Sequence, residues 1–204
     1  MARSSMTDQT QVNELLLQAL ETERGGIQVY TAALEAVQNE DLKEEWQKYL
    51  EETRQHEQIL LDVFEQLGKD PEAASPGREV VAHQGRSLVK AIRMAMAEAG
   101  AAAAELVAAE CVVLAETKDH QDWQLIGKCA LEKSALQADA LNDAYIAIED
   151  QEDEHLYHTR GWCRELWLDA LGLAAVLPPP EERRKVQSEV SAAKVIKDSE
   201  AMRE

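Results

Sequence analysis

The sequence of 204 residues has few aromatic residues, five prolines and nine glycines, and each shortage narrows the choice of fold. Aromatic residues make up only 4% of the chain, and because they are among the residues that favour strands, a sheet is disfavoured. Alanine, leucine, glutamate and glutamine abound instead, and all of them favour helix. The composition therefore predicts an all-α protein with one well-buried domain and at most a small appendage.

Paired cysteines and positive charge are also scarce. Cys111, Cys129 and Cys163 are odd in number and contain no C-x-x-C pair, so neither a disulfide framework nor a thiolate site for zinc or iron is indicated. The chain has 21 Lys and Arg residues against 39 Asp and Glu residues, a formal net charge of -18. Because this charge repels phosphate backbones and anionic lipids, we expect no nucleic acid partner and no membrane partner.

Long apolar runs are missing as well. The first residues, MARSSMTDQTQVNE, have no apolar core of signal-peptide length, and the runs elsewhere are far too short for a membrane span. Together with the unpaired cysteines, this predicts a protein of the reducing cytoplasm.

Prolines occur only at positions 71, 76 and 178 to 180, so residues 1–70 and 77–177 are free of the strongest helix breaker. Capping residues and glycines divide these stretches further. The predicted helices run from Thr7 or Asp8 to about Gln38, from the turn at Asn39 and Asp41 to Gly68, from Arg78 to about Ala99, from Ala101 to Leu131, and from a cap at Ser134 to about Gly172.

The predicted helix at about 78–99 is roughly 30 Å long, enough to carry the chain back along its neighbours. Two helical hairpins joined by such a crossover are one way of connecting a four-helix bundle. We therefore predict a four-helix bundle over residues 1–172. A C-terminal extension over residues 173–204 follows, either as a helix or as a frayed tail.

Polar residues interrupt the apolar stripe of each of the four long helices. A carboxylate buried in such a stripe is unfavourable unless it is paired or bound to a cation. Two divalent ions would compensate several of them, and oxygen ligands with two imidazoles suit iron or manganese. With the crossover helix left out of the count, the interrupting residues are Glu23 in the first long helix, Glu52 and His56 in the second, Glu110 in the third, and Glu152 and His155 in the fourth.

Each of these residues also has an ordinary explanation. A single acid in a stripe is often turned toward the surface or paired with an arginine such as Arg24 or Arg54, and a lone histidine is often a hydrogen-bonded core residue. The metal hypothesis rests on the combination, because Glu followed by Glu with His recurs in the same order on two hairpins.

This order resembles the ferritin-like di-iron carboxylate superfamily, which includes ferritins, bacterioferritins and rubrerythrins. In ETERGGIQVYTAAL, Glu23 is followed seven residues later by Tyr30, as in the superfamily, and EDEH at 152–155 matches its Glu-x-x-His motif. The second helix departs from the pattern, because Thr53 stands three residues before His56. The likeness covers about residues 10–172 and implies a ferritin-like bundle.

The resemblance implies a buried site for two iron ions, or manganese ions, that reacts with oxygen or peroxide. The expected activity is that of an iron-dependent oxidase, a ferroxidase or a peroxide-reducing enzyme. The implied ligands are Glu52 and Glu152 as bridges, Glu23 and Glu110 as terminal ligands, and one imidazole for each ion from His56 and His155.

Other polar residues lie near the predicted ligands. Tyr30 and Tyr145 are expected either to donate hydrogen bonds beside the site or to belong to the core. His158, one turn further along the fourth helix, is either a hydrogen-bonding neighbour or an alternative ligand. For His83 and His120 we expect surface or ordinary hydrogen-bonding roles.

Two other functions stay open. One is iron storage or transport, in which the bundle assembles into a shell, and the other is a metal-free helical scaffold that binds a protein partner through its C-terminal segment. In the enzyme hypothesis another protein donates the electrons, because the chain has no rubredoxin-like cysteine cluster. A homodimer is a further expectation, because amphipathic bundles with a free apolar flank commonly pair.

Overall fold

The computed structural model describes residues 8–131 and 138–183. These residues form five α-helices and one short 3-10 helix with no strand among them, which confirms the all-α prediction. The α-helices are α1 (Gln9–Ala36), α2 (Glu40–Gln66), α3 (Pro76–Glu98), α4 (Ala101–Ala130) and α5 (Ala138–Ala170), and the 3-10 helix is Pro180–Arg183.

Side-chain caps begin the first two helices where the sequence predicts them. A carboxylate oxygen of Asp8 accepts hydrogen bonds from two backbone N–H groups in the first turn of α1, and the side chain of Asn39 accepts one in the first turn of α2. Both caps satisfy backbone donors that have no partner within the helix. The alternative cap Thr7 and the predicted cap Ser134 lie outside the described residues.

Helix α3 begins two residues before the predicted start at Arg78. The hydroxyl of Ser75 accepts a hydrogen bond of 3.1 Å from the backbone N–H of Arg78, and Pro76 occupies the first turn. Proline is well suited to that turn because it has no N–H to leave unpaired. At the other end of α3, Gly100 has a φ of 80°, which lets the chain turn sharply into α4.

Four of the helices pack as antiparallel neighbours: α1 with α2, α1 with α4, α4 with α5, and α2 with α5. The pairing of α4 and α5 illustrates the direction. Trp167 near the end of α5 donates a hydrogen bond to Glu110 near the start of α4, whereas Gly127 near the end of α4 lies against the ring of Tyr145 near the start of α5. Because each of the four helices has two of the others as neighbours, they face a common interior.

Helix α3 packs on α1 and α4 and runs parallel to α1. At its start the hydroxyl of Ser75 donates to the carboxylate of Glu14, and ten residues later Gly85 lies directly against Gly25 of α1. The helix carries the chain from the end of α2 to the start of α4. This is the path that the sequence predicts for the crossover.

The apolar core consists of two separate clusters along the helix axes. Each of α1, α2, α4 and α5 contributes to both clusters, and each leaves a gap between its two contributions. The gaps lie between Leu20 and Val29 in α1, between Leu50 and Leu60 in α2, between Val112 and Trp123 in α4, and between Ile148 and Trp162 in α5. Polar residues fill these gaps at one level of the interior.

The described part of the C-terminal extension folds back on α5. The guanidinium of Arg164 binds the buried carboxylate of Glu181 through two hydrogen bonds of 2.6 and 3.0 Å. Pro179 and Glu181 lie directly over Gly161, where a larger residue would displace them. Within residues 8–131 and 138–183, none of the helices has an apolar stretch that would cross a bilayer.

Candidate metal centre

The gap between the apolar clusters holds one buried acid, Asp122, that is paired with Lys118, and six further acidic and imidazole side chains from four helices. None of these six is more than 4% exposed, and we call the six the polar layer. The position of each follows from the packing of its helix, because the apolar residues before and after it are buried in the two clusters. The polar layer consists of Glu23 of α1, His56 of α2, Glu116 and Asp119 of α4, and Glu152 and His155 of α5.

Glu152 lies at the centre of the polar layer. Its Oε1 is 3.0 Å from Nδ1 of His56 and 3.9 Å from Nδ1 of His155. Two groups of three residues, each with ligand atoms within 4.8 Å of one another, share this carboxylate: one with His56 and His155, and the other with Glu23 and Asp119. The geometry thus places two adjacent groups of potential ligand atoms around one shared residue.

Both imidazoles present Nδ1 to the interior and direct Nε2 outward. Nε2 of His56 is 2.7 Å from Oε1 of Gln151, and Nε2 of His155 is 3.0 Å from Oε2 of Glu52. Because each outer partner is an acceptor, Nε2 carries a proton and Nδ1 is the nitrogen available to a metal ion. Gln151 and Glu52 therefore orient the imidazoles.

The carboxylates of the polar layer lack the partners that normally accompany buried acids. Within the described chain no lysine or arginine forms an ion pair with Glu23, Glu116, Asp119 or Glu152. The indole N–H of Trp123 donates to one oxygen of Glu23 at 2.7 Å. Among residues 8–131 and 138–183, several of these buried atoms have no well-formed hydrogen bond: Oε2 of Glu23, Oε2 of Glu116, Oδ1 of Asp119, both carboxylate oxygens of Glu152, and Nδ1 of His56.

Crowding of these acids changes their protonation. Burial and the nearby carboxylates of Asp119 and Glu152 raise the pKa of Glu23 well above its ordinary value. Burial and the carboxylates of Glu152 and Glu116 do the same to the pKa of Asp119. Burial, followed by repulsion from Glu116, raises the pKa of Glu152 to about 8. Without a cation, part of the polar layer is therefore protonated at neutral pH.

The two histidines differ in charge. Burial and the neighbouring imidazole of His155 lower the pKa of His56. Burial also opposes the charge on His155, but the nearby carboxylates of Glu116, 3.6 Å from Nδ1, and Glu52, hydrogen-bonded to Nε2, more than offset it and raise the pKa to about 10. In the metal-free protein His155 is thus the cation of the polar layer, and a metal ion at its Nδ1 would displace a proton.

The structure brings together four of the six predicted ligands, Glu23, His56, Glu152 and His155. Glu52 lies beside them but outside the shared space, because its carboxylate binds the outer nitrogen of His155. The position facing the interior is held by Thr53, whose methyl group packs against Gly26 and whose hydroxyl donates to the backbone of Tyr49. The predicted bridging role of Glu52 does not match this placement.

Glu110 does not lie in the polar layer, and its prediction as a ligand is corrected. It is exposed and accepts a hydrogen bond of 3.0 Å from the indole of Trp167. Glu116 is six residues further along, or about one and two-thirds turns, so the two acids point to different sides of α4. The prediction of Glu110 assumed an inward stripe of Leu106, Glu110 and Val113. The buried side of α4 instead follows Ala108, Val112 and Glu116.

Glu116 and Asp119 are the residues that the sequence reasoning missed. The available signal was their spacing of three, together with the row formed by Val112, Glu116, Asp119 and Trp123 on one helix face. The signal was weak because α4 itself carries alanines on several of its faces. An apolar stripe can then be drawn along more than one face of the helix.

Tyr30 lies beside the polar layer, as predicted, and its ring meets that of His155 edge-on at 6.4 Å. Burial and then the carboxylate of Glu116 raise its pKa well above the ordinary value. Tyr145 lies further out, under Gly127, and burial followed by a hydrogen bond to Glu149 raises its pKa to about 12.

His158 belongs to a neighbouring cluster rather than to the polar layer. Its Nδ1 is 2.9 Å from Oε1 of Glu45 and 3.0 Å from the hydroxyl of Tyr49. Glu45 also accepts hydrogen bonds from the hydroxyl of Tyr49 and from the indole of Trp162. The ring of Tyr49 packs against that of His155 at 4.2 Å, so this cluster supports the polar layer from outside.

The remaining histidines also lie outside the polar layer. His83 is exposed on α3, and Nδ1 of His120 is 3.7 Å from the carboxylate of Asp153.

The donor set of the polar layer fits two divalent cations. The carboxylates of Glu23, Glu116, Asp119 and Glu152 would carry four negative charges, which two such ions would balance. Carboxylate oxygens and imidazole nitrogens are ligands that iron and manganese accept. No protein-family model matches the chain, and no curated protein and no solved structure matches it.

Proposed function

We propose that this chain is a ferritin-like dinuclear metal protein, with α1, α2, α4 and α5 as its four-helix bundle and α3 as the crossover. The observation that carries the proposal is the polar layer, in which four buried carboxylates meet without a lysine or arginine partner in the described chain. Such an arrangement is unfavourable unless cations occupy it.

The proposed cofactor is a pair of iron ions, with manganese as the alternative. His56 and His155 would hold one ion, Glu23 and Asp119 would hold the other, and Glu152 would be shared, because it belongs to both groups of ligand atoms. Glu116, whose Oε2 is 3.6 Å from Nδ1 of His155, would complete the set. Di-iron carboxylate bundles take carboxylates from four helices together with two imidazoles. Here the two imidazoles are present, but the four carboxylates come from three helices, α1, α4 and α5.

The proposed activity is that of an oxidase, a ferroxidase or a peroxide-reducing enzyme, with oxygen or peroxide as substrate and another protein as electron donor. When bound, the two irons would supply the electrons. The chain supplies the surroundings. Gln151 and Glu52 hold the imidazoles with Nδ1 inward, Trp123 holds Glu23 by its indole N–H, and two apolar clusters exclude water from both ends.

An anaerobic titration with Fe(II), followed by exposure to air, tests the proposal. We expect two irons bound per chain and an absorption of oxidised iron in the near ultraviolet. Glu116→Ala and Glu152→Ala should abolish both signals. Glu110→Ala is the matched control, since Glu110 is on the same helix as Glu116 but faces outward, and it should bind two irons as the unaltered chain does.

Less than about half an equivalent of bound iron, also after addition of Mn(II), would contradict the proposal and favour the metal-free scaffold. Loss of iron binding in Glu110→Ala, with binding retained in Glu116→Ala, would contradict the assignment of ligands. The mass of the particle in solution separates the enzyme from a storage shell, because a shell is many times heavier than a monomer or dimer.

A further inference from the structure

A crevice of about 150 Å³ between α4 and α5 reaches the polar layer from the surface. Its inner wall includes Glu152, which is 1% exposed and whose two oxygens have no hydrogen-bond partner among the described residues. A liquid water molecule occupies about 30 Å³, so the crevice has room for a small ion with part of its hydration shell. It therefore leads from solvent to the residue that is common to both groups of ligands, and only the last step to its buried carboxylate is closed.

The acids of α5 follow the crevice inward in order of burial. Glu149 at the mouth is exposed, Asp153 has a 19% exposed side chain, and Glu152 is buried. Their spacing of three and four residues places them on one face of α5. Across the crevice, His120 of α4 lies 3.7 Å from Asp153. Oxygen and imidazole ligands are thus available at successive depths.

A second cleft near the polar layer does not reach the buried ligands. It is larger, about 640 Å³, and ends at Tyr49, which separates it from His155. The ammonium group of Lys48 lies in this cleft, 3.0 Å from Glu154 and 3.6 Å from Glu52. Acids such as Asp41, Glu44 and Glu45 also line this cleft, so its charge would not keep a cation out. The ring of Tyr49, packed against that of His155, is what closes the cleft toward the polar layer.

We propose that divalent metal ions reach the polar layer through the crevice between α4 and α5, with Glu149 and Asp153, beside His120, as transient ligands that pass the ion to Glu152. This inference rests on the proposed function, because it requires that the polar layer binds metal. It adds the route and the residues that determine the rate of metal uptake.

Stopped-flow measurement of Co(II) uptake, followed by the visible absorption of protein-bound Co(II), tests the route. We expect the double variant Glu149→Gln with Asp153→Asn to take up Co(II) about 10-fold more slowly at low salt, because electrostatic guidance contributes factors of that order. The final amount of Co(II) bound should stay the same. Asp41→Asn with Glu44→Gln is the matched control, since it also removes two negative charges, but from the second cleft. The rate of Co(II) uptake by this control should change far less.

A steric variant keeps the test independent of charge. Gln124 is exposed at the mouth of the crevice, and Gln124→Trp should obstruct it without removing a carboxylate. We expect Co(II) uptake and Co(II) release to a chelator to slow by the same factor. Equal slowing by both double variants, or no slowing in the crevice variants, would overturn the route. Absence of Co(II), Fe(II) and Mn(II) binding in the unaltered chain would instead reject the proposed function itself.

Discussion

Two regions of this protein bury carboxylates equally well but treat them differently. Near the end of α5, Glu165 and Glu181 are at most 2% exposed, and both bind the guanidinium of Arg164. The second oxygen of Glu165 accepts a hydrogen bond of 2.8 Å from the backbone N–H of Val176. In the polar layer, by contrast, the part of the chain that the structure describes offers Glu152 neither a hydrogen-bond donor nor a basic side chain other than the two imidazoles.

The difference teaches that burial of an acid is not by itself a sign of a metal site. The acids around Arg164 contribute to stability in the chain as it stands, because their charge is neutralised by protein groups. The acids of the polar layer lower the stability of the folded protein unless a bound cation neutralises them. Four predictions use this contrast, from the largest expected effect to the smallest.

Removal of Arg164 should destabilise the protein most. In Arg164→Met two buried carboxylates lose their cation, and we expect the free energy of unfolding to fall by about 3 kcal/mol at pH 7, measured in urea. Arg160→Met, one turn earlier on α5 and exposed, should change it by less than about 0.5 kcal/mol. Similar effects of the two variants would show that the cluster around Arg164 is not a stabilising element.

Metal addition should stabilise the protein through the polar layer alone. At a free Mn(II) or anaerobic Fe(II) concentration of about 100 times the dissociation constant, one site adds about 2.7 kcal/mol to the free energy of unfolding. We expect thermal unfolding to show this gain in the unaltered chain and in Arg164→Met, but not in Glu152→Ala. A gain that persists in Glu152→Ala would place the metal elsewhere.

The metal-free protein should lose stability as the pH rises from 5 to 8. Glu152 keeps its proton in the folded state up to a pKa of about 8 but loses it near 4.5 when unfolded, so the folded state binds more protons in this range. His155, with a pKa of about 10 when folded against 6.5 when unfolded, acts in the same direction at higher pH.

One such proton corresponds to about 1.4 kcal/mol per pH unit. Urea unfolding with a chelator present, at pH 5, 6, 7 and 8, measures the slope. A stability that rises over this range would contradict the protonation of the polar layer.

Replacement of single acids should have opposite signs in the two regions. Asp119→Asn removes one of several repelling carboxylates, one whose burial and neighbours raise its pKa well above the ordinary value. We expect the metal-free protein to gain about 1 kcal/mol at pH 7, a usual gain when an unfavourable residue of a functional site is replaced. Glu165→Gln should instead lose about 1–2 kcal/mol, because it weakens the hydrogen bonds to Arg164 and Val176. Destabilisation by both variants in urea, without metal, would remove the contrast between the regions.

The sequence predicted the local structure well where the local chemistry is strong. Asp8 and Asn39 cap their helices as expected, because a side-chain oxygen next to free backbone N–H groups needs no tertiary partner. Glu23, His56, Glu152 and His155 could be found because each stands in a stripe with clear contrast between apolar and polar sides. Helix α4 has no such contrast, so the sequence predicts Glu110 as the ligand although Glu116 and Asp119 are the buried acids.

The sequence by itself determined the helical class, the approximate ends of the helices and the chemical types that line the interior, because capping, proline positions and helical spacing act within one or two turns. Only the tertiary structure decided how far α4 is rotated about its axis, that Glu52 binds the outer nitrogen of His155, and that Glu152 is shared by two groups of ligands. These features depend on side chains from different helices competing for the same space. Their relative positions are set by packing across the interior, which no spacing along a single helix encodes.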